Sequence, residues 1–353
     1  MVVNTKRVFY IKYLMDPIYA SILARRPDIT LEDLNNCTKE AMQPILAAAQ
    51  VYQISSARGE IILEFYADKP LLARTPNLLV VSTNGVGYDT VNLKACTEAG
   101  VLVVNPAGGN RESVAEHVMA MMLCLSKRII QVDRFMRRES DFDRESFMGN
   151  EILGKTIGIV GIGHVGSRVA ELCRGLFTMR VLACDPYLTK AEILARGAEK
   201  VDLDDLLCRS DYVSINCPLT DETLGMIGAR QYALMRLNAY FINTARGFIH
   251  DEAALAEALG QKKIAGAGLD VWSKEPPPHD HPLLQCDNVL VSPHTAGVTR
   301  EARANIAKVA AEQVLDILDG KRPPHILNIE VWPIYKQRFK RIFGFTPQDS
   351  EAT

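Results

Sequence analysis

The sequence predicts an α/β protein with two doubly wound, Rossmann-like domains, and three observations carry that expectation. A chain of 353 residues makes roughly two domains at about 150 residues each. Short β-branched runs alternate with amphipathic stretches, the pattern of parallel sheets wrapped by helices. A glycine-rich turn, Gly161 to Gly166, falls between one such strand and one such helix.

In order along the chain, Val8 to Tyr13 reads as a strand and Asp16 to Arg25 as a capped helix. Val51 to Ser55, Leu78 to Ser82 and Val101 to Val104 read as further strands. Asn105 to Asn110 is rich in Gly, Pro and Asn, a turn and a hinge. A helix is expected over Glu112 to Arg137, with Met119, Met122 and Leu123 on its apolar side. Six strands follow: Thr156 to Val160, Arg180 to Cys184, Tyr212 to Asn216, Ala239 to Ile242, Ala265 to Leu269 and Val289 to Ser292. With helices between most of them, they predict a doubly wound nucleotide-binding domain. A last long helix, Glu301 to Leu318, is placed to return the chain to the first domain.

Charge is balanced, 40 Lys+Arg against 42 Asp+Glu, so no field of one sign favours nucleic acid or an anionic membrane. Eight cysteines are scattered without a CxxC pair, several in apolar runs, which favours free thiols in a reducing compartment. Met1 to Met15 lacks a signal-peptide pattern and no run reaches about 18 apolar residues. Cytoplasm is the expected location.

Gly161, Gly163 and Gly166 form GxGxxG, and Asp185 lies 19 residues beyond Gly166 at the end of the next strand. Gly161 permits the tight turn, Gly163 lets backbone approach a pyrophosphate, and Gly166 lets the helix pack closely. His164 and Val165 begin that helix and present backbone N–H groups to a phosphate. The Asp185 carboxylate suits two ribose hydroxyls and repels a 2′-phosphate, so NAD is the expected cofactor, although Lys190 stands nearby.

Three chemically capable residues follow separate strands at the edge where open α/β sheets take ligands: Arg246, Glu275 just after Asp270, and His294. Singly, each has an ordinary reading, a loop histidine or a structural ion pair. Together, downstream of the dinucleotide motif, they predict an active site. His117 sits within a helix beside Glu116, where packing or interface polarity is expected. His279-Asp280-His281 follows three prolines with no further ligand at helical spacing, so no metal is expected.

At these residues the chain resembles the D-isomer-specific 2-hydroxyacid dehydrogenase family. The resemblance rests on Gly161 to Gly166, Asn243-Thr244-Ala245-Arg246-Gly247, Gly268-Leu269-Asp270-Val271 with Glu275-Pro276, and Ser292-Pro293-His294. Asn84-Gly85-Val86-Gly87-Tyr88-Asp89 and Ser113-Val114-Ala115-Glu116-His117 add to it, so that it covers about residues 50 to 330. It implies an NAD-binding domain, 107–297, inserted into a split flavodoxin-like substrate domain, 1–106 with 298–331, followed by a tail, 332–353. Closure through joints near Asn105 and Gly297 and a homodimer built on the nucleotide domain are also implied. His294 would be the general acid, Glu275 would orient it and favour imidazolium, and Arg246 would grip the substrate carboxylate. Backbone N–H groups at Val86 and Gly87 would cradle that carboxylate. Asp270 is expected at the nicotinamide carboxamide, with Cys217, Pro218, Thr244, Ala245 and Gly297 completing the cofactor contacts.

The expected substrate is a small 2-oxo acid interconverted with its D-2-hydroxy acid. In the stretch Ser55-Ser56-Ala57-Arg58, only Arg58 is basic, which favours glyoxylate or hydroxypyruvate over a phosphorylated acid. The alternatives within the fold are 3-phosphoglycerate or phosphite oxidation. Glu275 stands where formate dehydrogenases resembling this chain carry Gln, which argues against formate. A non-catalytic alternative is an NADH-sensing corepressor. In the tail, Trp332, Tyr335, Phe339 and Phe343 are interleaved with Lys and Arg, an amphipathic stripe expected to dock on the protein or its dimer mate.

Overall fold

The computed structural model describes residues 5–349, with the backbone alone at Arg58. It separates into two compact units: the residues up to Asn110 with those from Arg300 onward, and Arg111–Thr299.

The first unit holds a parallel sheet of β1 (Lys6–Tyr10), β2 (Ile29–Asp33), β3 (Val51–Ile54), β4 (Val80–Thr83) and β5 (Leu102–Val104), in the order β2-β1-β3-β4-β5. Strand β2 was not expected, and it makes its edge pairing through polar side chains. Its Glu32 meets Arg7 at 3.1 Å and its Asp33 accepts from the Tyr10 hydroxyl at 2.8 Å. Every residue of the strand is at least partly exposed, so it lacks the apolar run that marks a central strand. β3, β4 and β5 are buried throughout and do carry that run. The helix Arg300–Leu318 buries Ala307, Ala311, Val314 and Leu318 in the same core as Val8, Val51 and Val80. The tail forms a second helix, Trp332–Phe343, whose Trp332, Tyr335 and Phe339 are buried in that core while Arg338 donates to the Pro76 carbonyl at 3.0 Å and the Leu78 carbonyl at 2.8 Å.

The second unit holds β6 (Thr156–Val160), β7 (Arg180–Cys184), β8 (Glu199–Lys200), β9 (Tyr212–Ile215), β10 (Tyr240–Asn243), β11 (Gly266–Leu269) and β12 (Val289–Val291). All pair in parallel, in the order β12-β11-β10-β9-β6-β7-β8. Six of these strands correspond to the expected ones. The seventh, β8, is two residues long, too short to leave a periodic signal. Alternation along each strand sends Val160, Val213 and Phe241 to one core and Ile157, Ile159 and Ile242 to the other, so helices cover both faces.

The helix expected over Glu112 to Arg137 is two helices, Arg111–Lys127 and Ile129–Met136, parted at Arg128, which takes a left-handed conformation at φ 56°. The Arg128 guanidinium is held on the far side of the break by Gln131 and the Ser146 carbonyl. Among the described residues no helix is long and apolar enough to cross a membrane. All eight cysteines are free thiols.

Candidate active site

In the second unit the glycine turn joins β6 to the helix His164–Phe177. Gly161 has φ +83°, and a Cβ there would lie 2.7 Å from the Cys217 amide nitrogen, so both conformation and space require glycine. A Cβ on Gly166 would sit 2.3 Å from the Gly161 carbonyl, which is how closely the helix packs. A Cβ on Gly163 would meet nothing within 4 Å. Its bare backbone therefore clears space outside the protein rather than inside it, as a bound diphosphate requires. The helix begins without a side-chain cap or a first-turn acid, leaving its N–H groups and positive end to an external anion. Beside it lies a cleft of about 390 Å³ lined by Arg111, Arg168 and Arg196 with His164 and Ser167, and Glu171 as an acid. Burial, then the charges of Arg111 and Arg196, lower the His164 pKa. These donors fit a dinucleotide.

Asp185, at the end of β7, accepts from the Ile162 amide at 3.1 Å and from the Tyr187 amide at 3.1 Å. It thus ties the glycine turn to the second strand. Cys217 and Pro218 follow β9, and Thr244 and Ala245 follow β10, all at the same carboxyl edge of the sheet.

Arg246, Glu275 and His294 follow β10, β11 and β12, three consecutive neighbours in the sheet. His294 Nδ1 lies 2.8 Å from Glu275 Oε2, and Glu275 Oε1 accepts from the Trp272 amide at 3.1 Å. Both side chains are partly exposed. The Glu275 hydrogen bond raises the His294 pKa, outweighing burial and the Arg246 charge. Burial pushes the Glu275 carboxyl upward, but His294, the Trp272 amide and Arg246 together hold it below its ordinary value. With Nδ1 turned to the carboxylate, Nε2 is the nitrogen left to exchange a proton with a ligand.

Much of what holds this pair is a set of residues that sequence reasoning assigned elsewhere or passed over. Asp270 is fully buried, and its carboxylate accepts from Ser292 Oγ at 2.6 Å, the Thr295 amide at 2.8 Å and the Ala296 amide at 2.9 Å. The Asp270 carbonyl also accepts from the His294 amide at 2.6 Å, while His294 itself is left-handed at φ 57°. Asp270 therefore fixes the backbone bend that aims His294, a role absent from the expected contact with nicotinamide. Gly297 continues that loop. His117 reaches the same network, its Nε2 3.0 Å from Ser292 Oγ.

Asn243 does the equivalent for Arg246. Its amide nitrogen donates to the Arg246 carbonyl at 2.9 Å and to His250 Nδ1 at 3.0 Å, and its oxygen accepts from the Ala245 amide at 2.9 Å. Burial pushes the His250 imidazole down to about 4, so it stays neutral and accepts. Gly247 closes the arrangement. A Cβ there would lie 2.0 Å from the Trp272 carbonyl carbon, so the Arg246 loop rests directly on the backbone that positions Glu275. His281, from the segment weighed for a metal, instead faces Glu252 at 3.2 Å and the Leu283 amide.

In the first unit Val86 and Gly87 lie on a half-buried loop after β4. Thr83 Oγ1 donates to the Gly85 carbonyl at 2.6 Å and Asn105 Nδ2 to the Val86 carbonyl at 2.7 Å. Gln313 in turn donates to the Asn105 carbonyl at 3.0 Å. With those carbonyls held, no acceptor among the described residues meets the Val86 and Gly87 amides. The side chain of Arg58, the one base expected nearby, lies outside the described residues.

A family model described as D-isomer specific 2-hydroxyacid dehydrogenase, NAD binding domain, matches residues 119–296. A D-3-phosphoglycerate dehydrogenase of Archaeoglobus fulgidus is 42% identical over 262 residues, covering 74% of this chain and 49% of its own. A glyoxylate reductase of Korarchaeum cryptofilum is 37% identical over 267 residues, covering 75% of this chain and 80% of its own. The chain thus aligns with about half the length of the first relative and most of the second. Among solved structures, D-lactate dehydrogenase from Aquifex aeolicus, complexed with NAD and lactic acid, is similar at a TM-score of 0.72 and 28% identity. That match covers 92% of this chain and 97% of the other.

Proposed function

The chain belongs to the D-isomer specific 2-hydroxyacid dehydrogenase family, with the NAD-binding domain of that family in its second unit, and from that membership we propose that it interconverts a small 2-oxo acid and its D-2-hydroxy acid. The observation that carries this reading is the His294–Glu275 pair at 2.8 Å, set one strand from Arg246 at the ligand-binding edge of the sheet. NAD, when bound, supplies or accepts the hydride at the substrate carbon. His294, whose protonated form Glu275 favours, gives its Nε2 proton to the carbonyl oxygen in reduction and recovers it in oxidation. Arg246 offers a planar fork of donors to the substrate carboxylate and polarises the adjacent carbonyl. The unmet amides of Val86 and Gly87 are the first unit's carboxylate-receiving groups. Gly161, Gly163, Gly166, the amides of His164 and Val165, and the Asp185 carboxylate hold the dinucleotide, with Cys217, Pro218, Thr244, Ala245 and Gly297 along its path.

An unphosphorylated acid of the glyoxylate or hydroxypyruvate kind is the preferred substrate, supported by the neutral Ser55-Ser56 pair after β3. The 42% identity to a D-3-phosphoglycerate dehydrogenase favours a phosphorylated acid as the second reading. A homodimer in the cytoplasm completes the proposal. Supporting the dimer, Ile129, Met136, Phe142, Met148 and Leu153 are exposed along one stretch of the second unit; the free thiols support the reducing compartment.

The test is NADH oxidation by the purified chain against glyoxylate, hydroxypyruvate, pyruvate, phenylpyruvate, 2-oxoglutarate and phosphohydroxypyruvate. One of these should turn over, and His294→Ala should lower its kcat by roughly a hundredfold to ten-thousandfold while NADH still binds. Normal turnover by that variant removes His294 from the chemistry. NADH binding with no turnover of any acid by the wild type points instead to a sensing role.

A further inference from the structure

The first unit's sheet carries a polar cluster that the proton-transfer chemistry leaves unused. Strands β1 and β3 are neighbours, yet the chain leaves them toward opposite edges, β1 toward β2 and β3 toward β4. Their carboxyl ends therefore flank a topological switch point, where open α/β sheets take ligands. Tyr13 follows β1 there, and Ser55, Ser56 and Glu60 follow β3.

The Tyr13 hydroxyl donates to Glu60 Oε1 at 2.5 Å. Glu60 Oε2 accepts from the Ala57 amide at 3.4 Å, so among the described residues the carboxylate spends two of about four acceptor sites. Burial first, then the bond to and charge of Glu60, hold the Tyr13 phenol well above its ordinary pKa against weaker opposition from Arg303 and Ser55. The phenol is thus a fixed donor that keeps the carboxylate in place. Ser55 is fully buried, and its hydroxyl, near enough to Tyr13 to be felt there, makes no well-formed hydrogen bond among the described residues. Orphaned buried hydroxyls are costly unless something else satisfies them.

The cluster adjoins the carboxylate-receiving loop. The Tyr13 carbonyl accepts from Asn84 Nδ2 at 2.9 Å, and a Cβ on Gly85 would fall 2.6 Å from Ser56 Oγ. A small acid seated on the Val86 and Gly87 amides would turn its far end toward hydroxyls and a carboxylate. The positive charge of Arg303 also acts on the Tyr13 phenol.

We propose that Tyr13 and Glu60, with Ser55 and Ser56, read a hydroxyl on the carbon beyond the oxo group, so that the substrate is an unphosphorylated, hydroxylated 2-oxo acid. This rests on the 2-oxo acid reading of the active site and sharpens it. Hydroxypyruvate is the smallest such acid. Its hydroxyl donates to the spare acceptor sites of Glu60 and accepts from a serine. Glyoxylate has no group to reach the cluster, and a phosphate there would bring its negative charges against Glu60.

The test compares kcat/KM for hydroxypyruvate, glyoxylate and phosphohydroxypyruvate, with NADH, in the wild type, Tyr13→Phe and Glu60→Gln. The wild type should prefer hydroxypyruvate to both others. Each variant should lower the hydroxypyruvate-to-glyoxylate ratio about tenfold or more, the worth of a hydrogen bond to a charged group. Glu60→Gln should also narrow the gap to phosphohydroxypyruvate. General loosening of the fold leaves these ratios alone, because all three acids share one set of reacting and carboxylate-binding groups. Ratios unmoved in both variants, or phosphohydroxypyruvate as the best wild-type substrate, would overturn the assignment. Failure of the wild type to reduce any 2-oxo acid while binding NADH would instead overturn the reading beneath it.

Discussion

The general-acid role proposed for His294 depends on a balance of charge that a single atom contact sets. Glu275, 2.8 Å from Nδ1, raises the imidazole pKa above its ordinary 6.5, and Glu275 is in turn kept ionised by His294 itself, the Trp272 amide and Arg246. Reduction needs imidazolium, so its rate is highest below the His294 pKa and falls as pH rises through it. Oxidation needs the neutral ring and has the opposite profile. In Glu275→Gln the bond loses its charge and the His294 pKa drops, with burial and the Arg246 charge left to act on it. The falling limb of the reductase profile should then move to lower pH, and kcat at neutral pH should decrease. A pH–rate profile of the variant that overlays the wild type would show that Glu275 does not tune His294. The same contact also affects stability, with a defined sign. Because the folded pKa is raised, the contribution is complete below the unfolded pKa and disappears as pH climbs past the folded one.

Among the loops, precision comes from backbone contacts that tolerate no added atoms. Three loops at the ends of β10, β11 and β12 converge, and Gly247 is where two of them touch. Gly247→Ala would place a methyl group 2.0 Å from the Trp272 carbonyl carbon, so one loop must retreat. The cost should be about 1–3 kcal/mol of stability, typical of overpacking. A larger effect is expected on kcat/KM, roughly a hundredfold, because a displacement of about 1 Å is enough for that. A thermal melt paired with steady-state kinetics checks both. A variant with wild-type kcat/KM would mean that the Arg246 and Glu275 loops do not need their contact. Asn243 and Asp270 belong to this scale as well. Each is buried, each has its hydrogen bonds filled by one loop, and each fixes a neighbour that carries charge.

For the whole molecule, the apolar surface left open on the second unit sets the expectation. Met148 is 69% exposed, Leu153 62% and Met136 59%, and side chains of this size left open along one stretch are the surface on which the proposed dimer rests. The proposed dimer predicts a solution mass of twice one chain by light scattering. Phe142→Asp with Met148→Asp should shift it toward one chain. A monomeric wild type would leave those side chains to another partner.

Much was legible in the linear chain wherever one residue type answers one physical demand. GxGxxG declares a turn in which crowding excludes side chains at Gly161, against Cys217, and at Gly166, against the Gly161 carbonyl, and β-branched runs declare buried strands. Arg246, Glu275 and His294 were marked by chemistry and by position after strands. The edge strands β2 and β8 left no such mark, being polar in one case and two residues long in the other, and are stabilised by pairing with a neighbour rather than by an apolar run. The break at Arg128 was hidden because apolar periodicity continues across it while the backbone turns. Tertiary structure alone decided the duty of Asp270, the meeting of Gly247 with Trp272, and the bond between Tyr13 and Glu60. In each case the partners lie on segments that only the sheet order brings together, and a hydrogen bond or a steric limit depends on ångströms that sequence spacing does not encode.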